Sequence, residues 1–317
     1  MGIVNVTPDS FSDGGQHGSA DAAKAHCDQL LRDGADLLDI GGESTRPGAR
    51  QPDLQEELAR VLPVLRHAVT LGIAVSVDSS RPEVMQAALD LGADVVNDVR
   101  ALARPGALAV VAAHPTCGVC LMHMQGEPGT MQQFTHYAGD VVIEVAAWLA
   151  RRLAQVHGAG VALNRITLDP GIGFGKTPAH NWALLQRQAE LLALGQPLLL
   201  GWSRKSTLGA LTGRPVADRL VPSVVAALAS VQRGGQVLRV HDVAATVDAL
   251  KVWSAAGLLP PMTAGLLPPM TAGLLPPMTA GLLPPMTAGL LPPMTAGLLP
   301  PLTAGLLPPT SAGPLPD

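Results

Sequence analysis

The 317-residue chain is poor in the residue types that nucleic-acid-binding surfaces need. Aromatic residues make up only 3% of it, so platforms that stack nucleotide bases are not expected. The 21 Lys and Arg residues are outnumbered by 25 Asp and Glu residues, which gives a net charge of −4. This balance provides no electrostatic reason for the protein to bind nucleic acid or an anionic membrane surface.

Cysteine is also scarce, with only Cys27, Cys117 and Cys120 in the chain. So few cysteines indicate a reducing compartment, most simply the cytoplasm. Cys117 and Cys120 have the CxxC spacing of many zinc sites, but the sequence offers only Cys27 as a further thiol, and no second pair of ligands. We therefore interpret all three as structural. The first residues also lack the positively charged and then apolar pattern that is typical of a secretory signal.

Apolar residues, by contrast, are abundant at 47% of the chain, which is enough for a large core. The C-terminal part differs in kind, because from residue 257 the octapeptide AGLLPPMT recurs and then decays. Its proline pairs forbid a continuous helix, and the unit is shorter than the roughly 20 residues of the smallest solenoid repeats. We expect residues 1–256 to form one domain. We expect residues 257–317 to be a disordered or polyproline-II-like tail, either without function or used to dock a partner.

Within residues 1–256, short segments rich in Val, Ile and Leu alternate with segments of helical spacing. Eight strands are predicted, with the sequences GIVNV, DLLDIGG, IAVSVDS, DVVND, GVCLMHM, RITLDPG, PLLLGWS and VLRVHD. The eight predicted helices cover 20–32, 53–69, 82–91, 105–113, 138–157, 179–194, 218–233 and 243–255. This alternation predicts an α/β fold of the (β/α)₈ TIM-barrel type. A doubly wound open sheet is the alternative, but the glycine-rich dinucleotide loop typical of that fold does not follow the first strand.

Polar residues stand at or near the end of almost every predicted strand. They are Asn5, Asp39, Asp78, Asn97, Asp98, His123, Asp169, Ser203, Arg204, Lys205, Arg239, His241 and Asp242. Turn formation or helix capping explains Asp or Asn at one strand end, but not a convergence that includes Lys205 and Arg239. In a barrel of parallel strands, the C-terminal ends share one rim, where catalytic groups lie. We therefore expect a functional site at that rim.

The polar residues form two sets with different chemistry. The first set consists of Asp78, Asn97, Asp169 and Lys205. It combines donors and acceptors, which suits a flat heterocycle with a guanidine-like hydrogen-bonding edge. The second set consists of Asn5, Arg46, Arg239 and His241. It is rich in donors and cations, which suits a phosphate or diphosphate group. Together they predict a substrate in which a heterocycle carries an anionic leaving group.

These motifs resemble the dihydropteroate synthase family over residues 1 to about 255. The segments NVTPDSFSDGG and GADLLDIGGESTRPGA look like its first two signatures. VDSS, VNDVR, LMHMQG, LDPGIGFGK, SRKS and RVHDV look like the remaining blocks, in family order. The resemblance implies condensation of 6-hydroxymethyl-7,8-dihydropterin diphosphate with 4-aminobenzoate, giving 7,8-dihydropteroate and diphosphate in folate synthesis. It also implies Mg²⁺ as a cofactor, commonly a homodimer, and competition by sulfonamides, which mimic 4-aminobenzoate.

The same resemblance implies roles for individual residues. The implied pterin-binding residues are Asp78, Asn97, Asp169 and Lys205. The implied diphosphate-binding residues are Asn5, Thr45, Arg46, Arg239 and His241, of which Asn5 would also contact Mg²⁺. The implied 4-aminobenzoate-binding residues are Phe11, Thr45, Arg46, Pro47, Phe174, Lys205 and Ser206. The implied catalytic residues are Lys205, Arg239 and His241.

Two features depart from the family pattern. Trp202 stands beside SRKS where a smaller residue is usual, and it is large enough to crowd the rim. Met1 leads straight into the first predicted strand, so we expect it to be an internal methionine with the natural start upstream.

Two alternatives from other classes remain at this stage. A pterin-binding methyltransferase would share the fold and part of the pocket, but it would not need the STRP and SRKS loops together. A non-catalytic scaffold barrel would lack some of the predicted charged and amide groups of the rim. The groups concerned, which are all present, are Asn5, Arg46, Lys205, Arg239 and His241. Their presence favours the synthase.

Overall fold

The computed structural model describes residues 1–7, 15–44 and 50–259, with only the backbone of 15–19. Eight parallel strands and nine α-helices alternate within these ranges. The strands are β1 (Gly2–Asn5), β2 (Leu37–Gly41), β3 (Ala74–Asp78), β4 (Val95–Asp98), β5 (Gly118–Met122), β6 (Ile166–Asp169), β7 (Leu199–Leu200) and β8 (Val237–Leu238). The helices are α1 (Gly15–Arg32), α2 (Leu54–Ala68), α3 (Pro82–Asp90), α4 (Ala107–Ala113), α5 (Val141–Gly158), α6 (Pro178–Gln186), α7 (Ser206–Thr212), α8 (Leu220–Gln232) and α9 (Val243–Ala255).

The strands close into a barrel. Six of them form one parallel sheet in chain order from β1 to β6, and β7 pairs with β8. Two single bridges join these parts, from Leu168 of β6 to Leu198 and from Gly2 of β1 to Val240. At the second bridge the backbone N–H of Ile3 donates to the carbonyl of Val240, with 3.0 Å between N and O. The predicted (β/α)₈ barrel is confirmed, and the carboxyl ends of its strands share one rim.

Successive side chains of each strand point alternately to the apolar core under the helices and to the barrel interior. Val4, Ile40 and Val77 belong to the hydrophobic cluster that the strands form with the surrounding helices. Successive side chains of a strand point to opposite faces, so Asp39 and Asp78 point to the interior instead. The period of two along the strands therefore directs polar side chains inward and upward to the rim.

Local capping residues fix where helices begin. α2 starts with a capping box, in which the N–H of Glu56 donates to Oδ1 of Asp53 (2.8 Å) and the N–H of Asp53 donates to Oε2 of Glu56 (3.0 Å). α5 follows Asp140, whose Oδ1 accepts from the backbone N–H groups of Val142 and Ile143 at 2.9 and 3.1 Å. These bonds satisfy N–H groups that have no partner inside the helix.

The sequence prediction was wrong in two helical regions. The helix predicted at 179–194 is divided, because α6 ends at Gln186 and Gln188–Leu194 form a 3₁₀ helix. A further helix, α7, begins within SRKS, where no helix is predicted. It has seven residues and ends before Gly213, which is too short for an apolar period to be visible in the sequence.

The repeat tail lies outside the described residues from 260 onwards. Among the helices that are described, none is long and apolar enough to cross a membrane.

Candidate active site

One guanidinium links two carboxylates at the rim. Arg239, which follows β8, donates from Nε to Oδ2 of Asp39 (2.6 Å) and from Nη2 to Oδ2 of Asp78 (2.7 Å). Asn97, near the end of β4, donates from Nδ2 to the same oxygen of Asp39 (3.1 Å). The structure therefore brings together three predicted site residues, Asp78, Asn97 and Arg239, around the carboxylate of Asp39.

Asp39 is the member of this group to which the sequence analysis assigned no role. Its side chain is completely buried, and its Oδ1 has no hydrogen-bond partner among the described residues. A signal was present in the sequence, because Asp39 interrupts the apolar strand LLDIG between Leu38 and Ile40, which both join the core. A charged residue between two core residues of a buried strand indicates a side chain that points into the barrel interior.

Two of the strand-end carboxyl groups that the sequence analysis assigned to the site have pKa values that burial raises. Burial raises the pKa of Asp78 to about 7, against the opposing effect of Arg239 and with a further contribution from Asp39. Burial also raises the pKa of Asp169 at the end of β6, although its Oδ1 accepts the backbone N–H of Gly171 at 2.7 Å. The ionised form of each carboxyl group is therefore desolvated, and a cation or hydrogen-bond donor placed beside it would offset that cost.

Lys205 and Phe174, from two different loops, are in contact. The Nζ of Lys205 lies 4.1 Å from the centroid of the Phe174 ring, a cation–π contact. Burial lowers the pKa of Lys205 to about 8, with repulsion from Arg239 in the same direction and attraction to Asp169 and Asp78 opposing it. Lys205 thus contacts the aromatic ring and is attracted by the carboxylates of the rim.

His241 is held by Ser203 at the start of the loop after β7. Its backbone N–H donates to Oγ of Ser203 (3.1 Å), and its Nδ1 lies 2.9 Å from the same oxygen. Burial, together with the charges of Arg204 and Arg239, lowers the pKa of His241 to about 3. The imidazole is therefore neutral at pH 7, and it offers a hydrogen bond rather than the positive charge expected from its residue type.

Asn5 and Ser206 lie at the rim without a hydrogen bond to other predicted site residues in the described ranges. Asn5 ends β1 and is half-buried, and its side chain makes no hydrogen bond to any described residue. Ser206 is the exposed first residue of α7. In ranges 1–7, 15–44 and 50–259, no three His, Cys, Asp or Glu side chains come together to hold a metal.

Four predicted site residues lie outside the described residues. They are Phe11, Thr45, Arg46 and Pro47.

Two sequence features belong to the core rather than to the site. Trp202 is 2% exposed and stacks on Trp182 of α6, with ring centroids 5.2 Å apart, so it does not crowd the rim. Cys27, Cys117 and Cys120 are free thiols, and burial raises the pKa of each. A buried thiol with a raised pKa is a poor nucleophile, in agreement with a structural role.

The sequence matches the profile of a family described as pterin binding enzyme over residues 1–241. It is 55% identical over 264 residues to the dihydropteroate synthase of Neisseria meningitidis serogroup B, which covers 81% of this chain and 92% of the relative. It is 46% identical over 256 residues to the dihydropteroate synthase of Escherichia coli K12, with 80% of this chain and 90% of the relative covered.

Solved structures agree with this similarity. The dihydropteroate synthase of Xanthomonas albilineans with 4-aminobenzoic acid has a TM-score of 0.77 and 52% identity, over 82% of this chain and 93% of that chain. The same organism's enzyme in complex with 7,8-dihydropteroate has a TM-score of 0.74 and 49% identity, over 82% and 94%. A sulfonamide drug complex of the Yersinia pestis enzyme has a TM-score of 0.77 and 45% identity, over 81% and 93%.

Proposed function

Since the chain belongs to the dihydropteroate synthases, a family of pterin-binding enzymes, we propose that it joins 6-hydroxymethyl-7,8-dihydropterin diphosphate to 4-aminobenzoate and releases diphosphate. As a member of that family it is a transferase that forms dihydropteroate. The observation that supports placing the reaction at the rim is the hydrogen-bonded group of Asp78, Asn97 and Arg239 around Asp39.

The pterin is assigned to the mouth of the barrel. The residues that would hold it are Asp78, Asn97, Asp169 and Lys205. A carboxylate that accepts two N–H groups from the guanidine-like edge of a pterin makes a bidentate contact, which fixes orientation as well as adding binding energy. The burial of Asp78 and Asp169 supports this assignment, because their desolvated oxygens gain most from a donor-rich ligand.

The diphosphate is assigned to the cationic side of the rim. The residues that would hold it are Asn5, Thr45, Arg46, Arg239 and His241, with Thr45 and Arg46 outside the described residues. Arg239 would contribute charge, and neutral His241 would donate a hydrogen bond.

Mg²⁺ is proposed to accompany the diphosphate. Asn5 offers a hard oxygen donor that no described residue engages, and this fits a magnesium ion. Mg²⁺ is commonly held by one or two protein oxygens together with substrate phosphates and water, so a dedicated protein cage is not required. When bound, Mg²⁺ would offset the negative charge of the diphosphate as it leaves.

The remaining chemistry needs no strong base. As the C–O bond to diphosphate breaks, positive charge develops on the pterin methylene carbon, and ionised Asp78 and Asp169 stabilise it. The amino nitrogen of 4-aminobenzoate then forms the C–N bond, and the resulting anilinium, which is a strong acid, passes its proton to the departing diphosphate or to water. The proposed 4-aminobenzoate site consists of Phe11, Thr45, Arg46, Pro47, Phe174, Lys205 and Ser206. The contact between Lys205 and Phe174 supports it.

We also propose that the enzyme is a homodimer. Large apolar side chains are exposed along α7, α8 and the segment between them, and such a run marks an interaction surface. They are Leu211, Val216, Leu220, Val221 and Val225, with exposed fractions of 68, 54, 42, 70 and 60%. The proposed occupant is a second copy, which would cover the same surface on both subunits. Light scattering should give twice the chain mass, and Val221→Glu should give monomers.

Two further proposals concern location and organisation. The three free cysteines support a cytoplasmic enzyme.

The match of the family profile to residues 1–241 supports a catalytic barrel at 1–256, with 257–317 as a separate repeat tail. Removal of residues 260–317 should therefore leave turnover unchanged.

Diphosphate release tests the proposed function. The full chain should release diphosphate only when both the pterin diphosphate and 4-aminobenzoate are present, and one molecule of 7,8-dihydropteroate should form for each diphosphate. A methyltransferase would instead consume a methylated pterin without releasing diphosphate, and a scaffold would do neither.

A further inference from the structure

Lys176, in the loop between β6 and α6, is a buried cation whose polar contacts among the described residues are to backbone carbonyls and a ring nitrogen. The residue is 3% exposed. Its Nζ donates to the carbonyls of Gly171 and Phe174, both at 3.0 Å, and to that of His123 at 3.3 Å. It also lies 2.9 Å from Nδ1 of His123. One ammonium group thus gathers three backbone carbonyls and one ring nitrogen.

This placement is unfavourable for a lysine by itself. Burial lowers the pKa of Lys176 to about 7, and only attraction to Asp169 opposes that effect. A charged group buried without a direct partner of opposite charge costs more than an apolar one in the same position. The N–H groups of Nζ offset part of this cost by donating to carbonyls that the loop turns inward. Lys176 therefore stabilises this conformation of the loop.

The loop takes that shape because its backbone packs directly on β5. Gly171 has a φ of 70°, and a Cβ atom there would lie 1.9 Å from the carbonyl oxygen of His123. Gly173 has a φ of 83°, and a Cβ atom there would lie 3.2 Å from Cδ of Lys205. Glycine is required for the close approach at Gly171, and the positive φ favours it at Gly173, so the loop lies directly between His123 and Lys205.

Phe174 connects this loop to the proposed 4-aminobenzoate site. Its carbonyl accepts from Nζ of Lys176, while its ring lies under Nζ of Lys205 at 4.1 Å. The backbone position of Phe174 is thus fixed by one lysine, and its ring supports the other. A change at Lys176 would therefore be passed on to Lys205 through Phe174.

We propose that Lys176 is a positioning residue for the condensation, since it folds the loop so that Phe174 supports Lys205 and shapes the 4-aminobenzoate site. Lys176 acts through Phe174 and does not itself contact substrate. This inference rests on the proposed function of the site.

The first test is Lys176→Met, which keeps an unbranched side chain one atom shorter and removes its donors. A displacement of the ring by about 1 Å is expected to raise the KM for 4-aminobenzoate and lower kcat/KM about tenfold to a hundredfold. The KM for the pterin diphosphate should change less, because Asp78 and Asn97, which lie on β3 and β4 and not in the loop of Lys176, still hold the pterin. The matched control is Lys251→Met, an exposed lysine of α9, which should behave like the wild type. The proposed function is tested separately, by whether the wild type turns over at all. The role of Lys176 is tested by the ratio of kcat/KM between the variant and the wild type.

A double-mutant cycle with Phe174→Leu separates positioning from general destabilisation. If Lys176 acts through Phe174, Lys176→Met should lower kcat/KM much less in the Phe174→Leu background than in the wild type. If Lys176→Met does not fold, Lys176→Gln, which keeps two N–H donors, takes its place in the same cycle. Equal changes in the two KM values, or losses that multiply independently, would overturn the proposal.

Discussion

The guanidinium of Arg239 lies on Asp78, with 2.7 Å between Nη2 and Oδ2, so the carboxylate assigned to the pterin already has a cationic partner. A pterin that binds both oxygens of Asp78 has to loosen this contact. Arg239 would still be anchored through Nε to Asp39, at 2.6 Å, and could turn its free end to the diphosphate of the same substrate. Binding of the heterocycle and recruitment of a cation for the leaving group would then be coupled.

Asp39 should therefore matter for the reaction, because it is completely buried and anchors Arg239. Asp39→Asn keeps the size of the side chain but removes the charge that holds Arg239. We expect kcat/KM for the pterin diphosphate to fall about tenfold or more, because a small displacement of a catalytic group has a large effect. The control is Asp36→Asn, an exposed residue just before β2. Steady-state kinetics that show equal values for both variants would contradict this role.

The pH dependence of kcat/KM should have two limbs. Asp78, with a pKa raised to about 7 by burial, is protonated in acid and then loses acceptor capacity, so pterin affinity should fall as the pH drops below about 7. Lys205, with a pKa lowered to about 8 by burial, loses its charge above that pH. Activity should therefore be highest between these values.

Asp78→Asn provides the matched measurement for the acidic limb. Calorimetric titration with the pterin substrate should give weaker binding that no longer changes between pH 6 and 7, below the range in which Lys205 titrates. An unchanged acidic limb in this variant would show that another group is responsible.

Lys205→Ala should remove most activity while the fold persists. The side chain is only half-buried at the rim and contributes little to the core, so the melting temperature should stay near that of the wild type. Turnover should fall about a hundredfold or more, as when a preorganised electrostatic group is removed. Diphosphate release at a rate close to the wild type would refute the assigned role.

Arg204, next to Lys205, has a strained backbone that its side chain helps to hold. Its φ is 58°, and its guanidinium donates to both oxygens of Asp242 at 2.6 and 3.1 Å. Both Arg204→Gly and Arg204→Ala lose this pair, but only glycine relieves the strain. The free energy of unfolding of Arg204→Gly should therefore exceed that of Arg204→Ala by about 1 kcal/mol. Urea unfolding measures the difference, and an alanine variant of equal or greater stability would contradict this interpretation.

The barrel can be predicted from the sequence because the apolar patterns of strands and of helices each extend over a few consecutive residues. The same pattern places Asp78, Asn97 and Arg239 at strand ends, so their meeting follows from the fold. The neutral state of His241 could not be predicted, because it depends on burial and on Arg204 from a neighbouring loop. Lys176 was missed for a similar reason. The segment LDPGIGFGK contributes to the family resemblance, but the burial of its lysine depends on His123, 53 residues away.

A crystal structure of the protein with 7,8-dihydropteroate tests the proposed site most directly. The pterin ring should lie against Asp78, Asn97 and Asp169, with the aminobenzoate ring beside Phe174 and Lys205. The contact between Arg239 and Asp78 should be lengthened or lost, while Arg239 stays bonded to Asp39. A pterin bound elsewhere, with Arg239 still 2.7 Å from Asp78, would contradict the account.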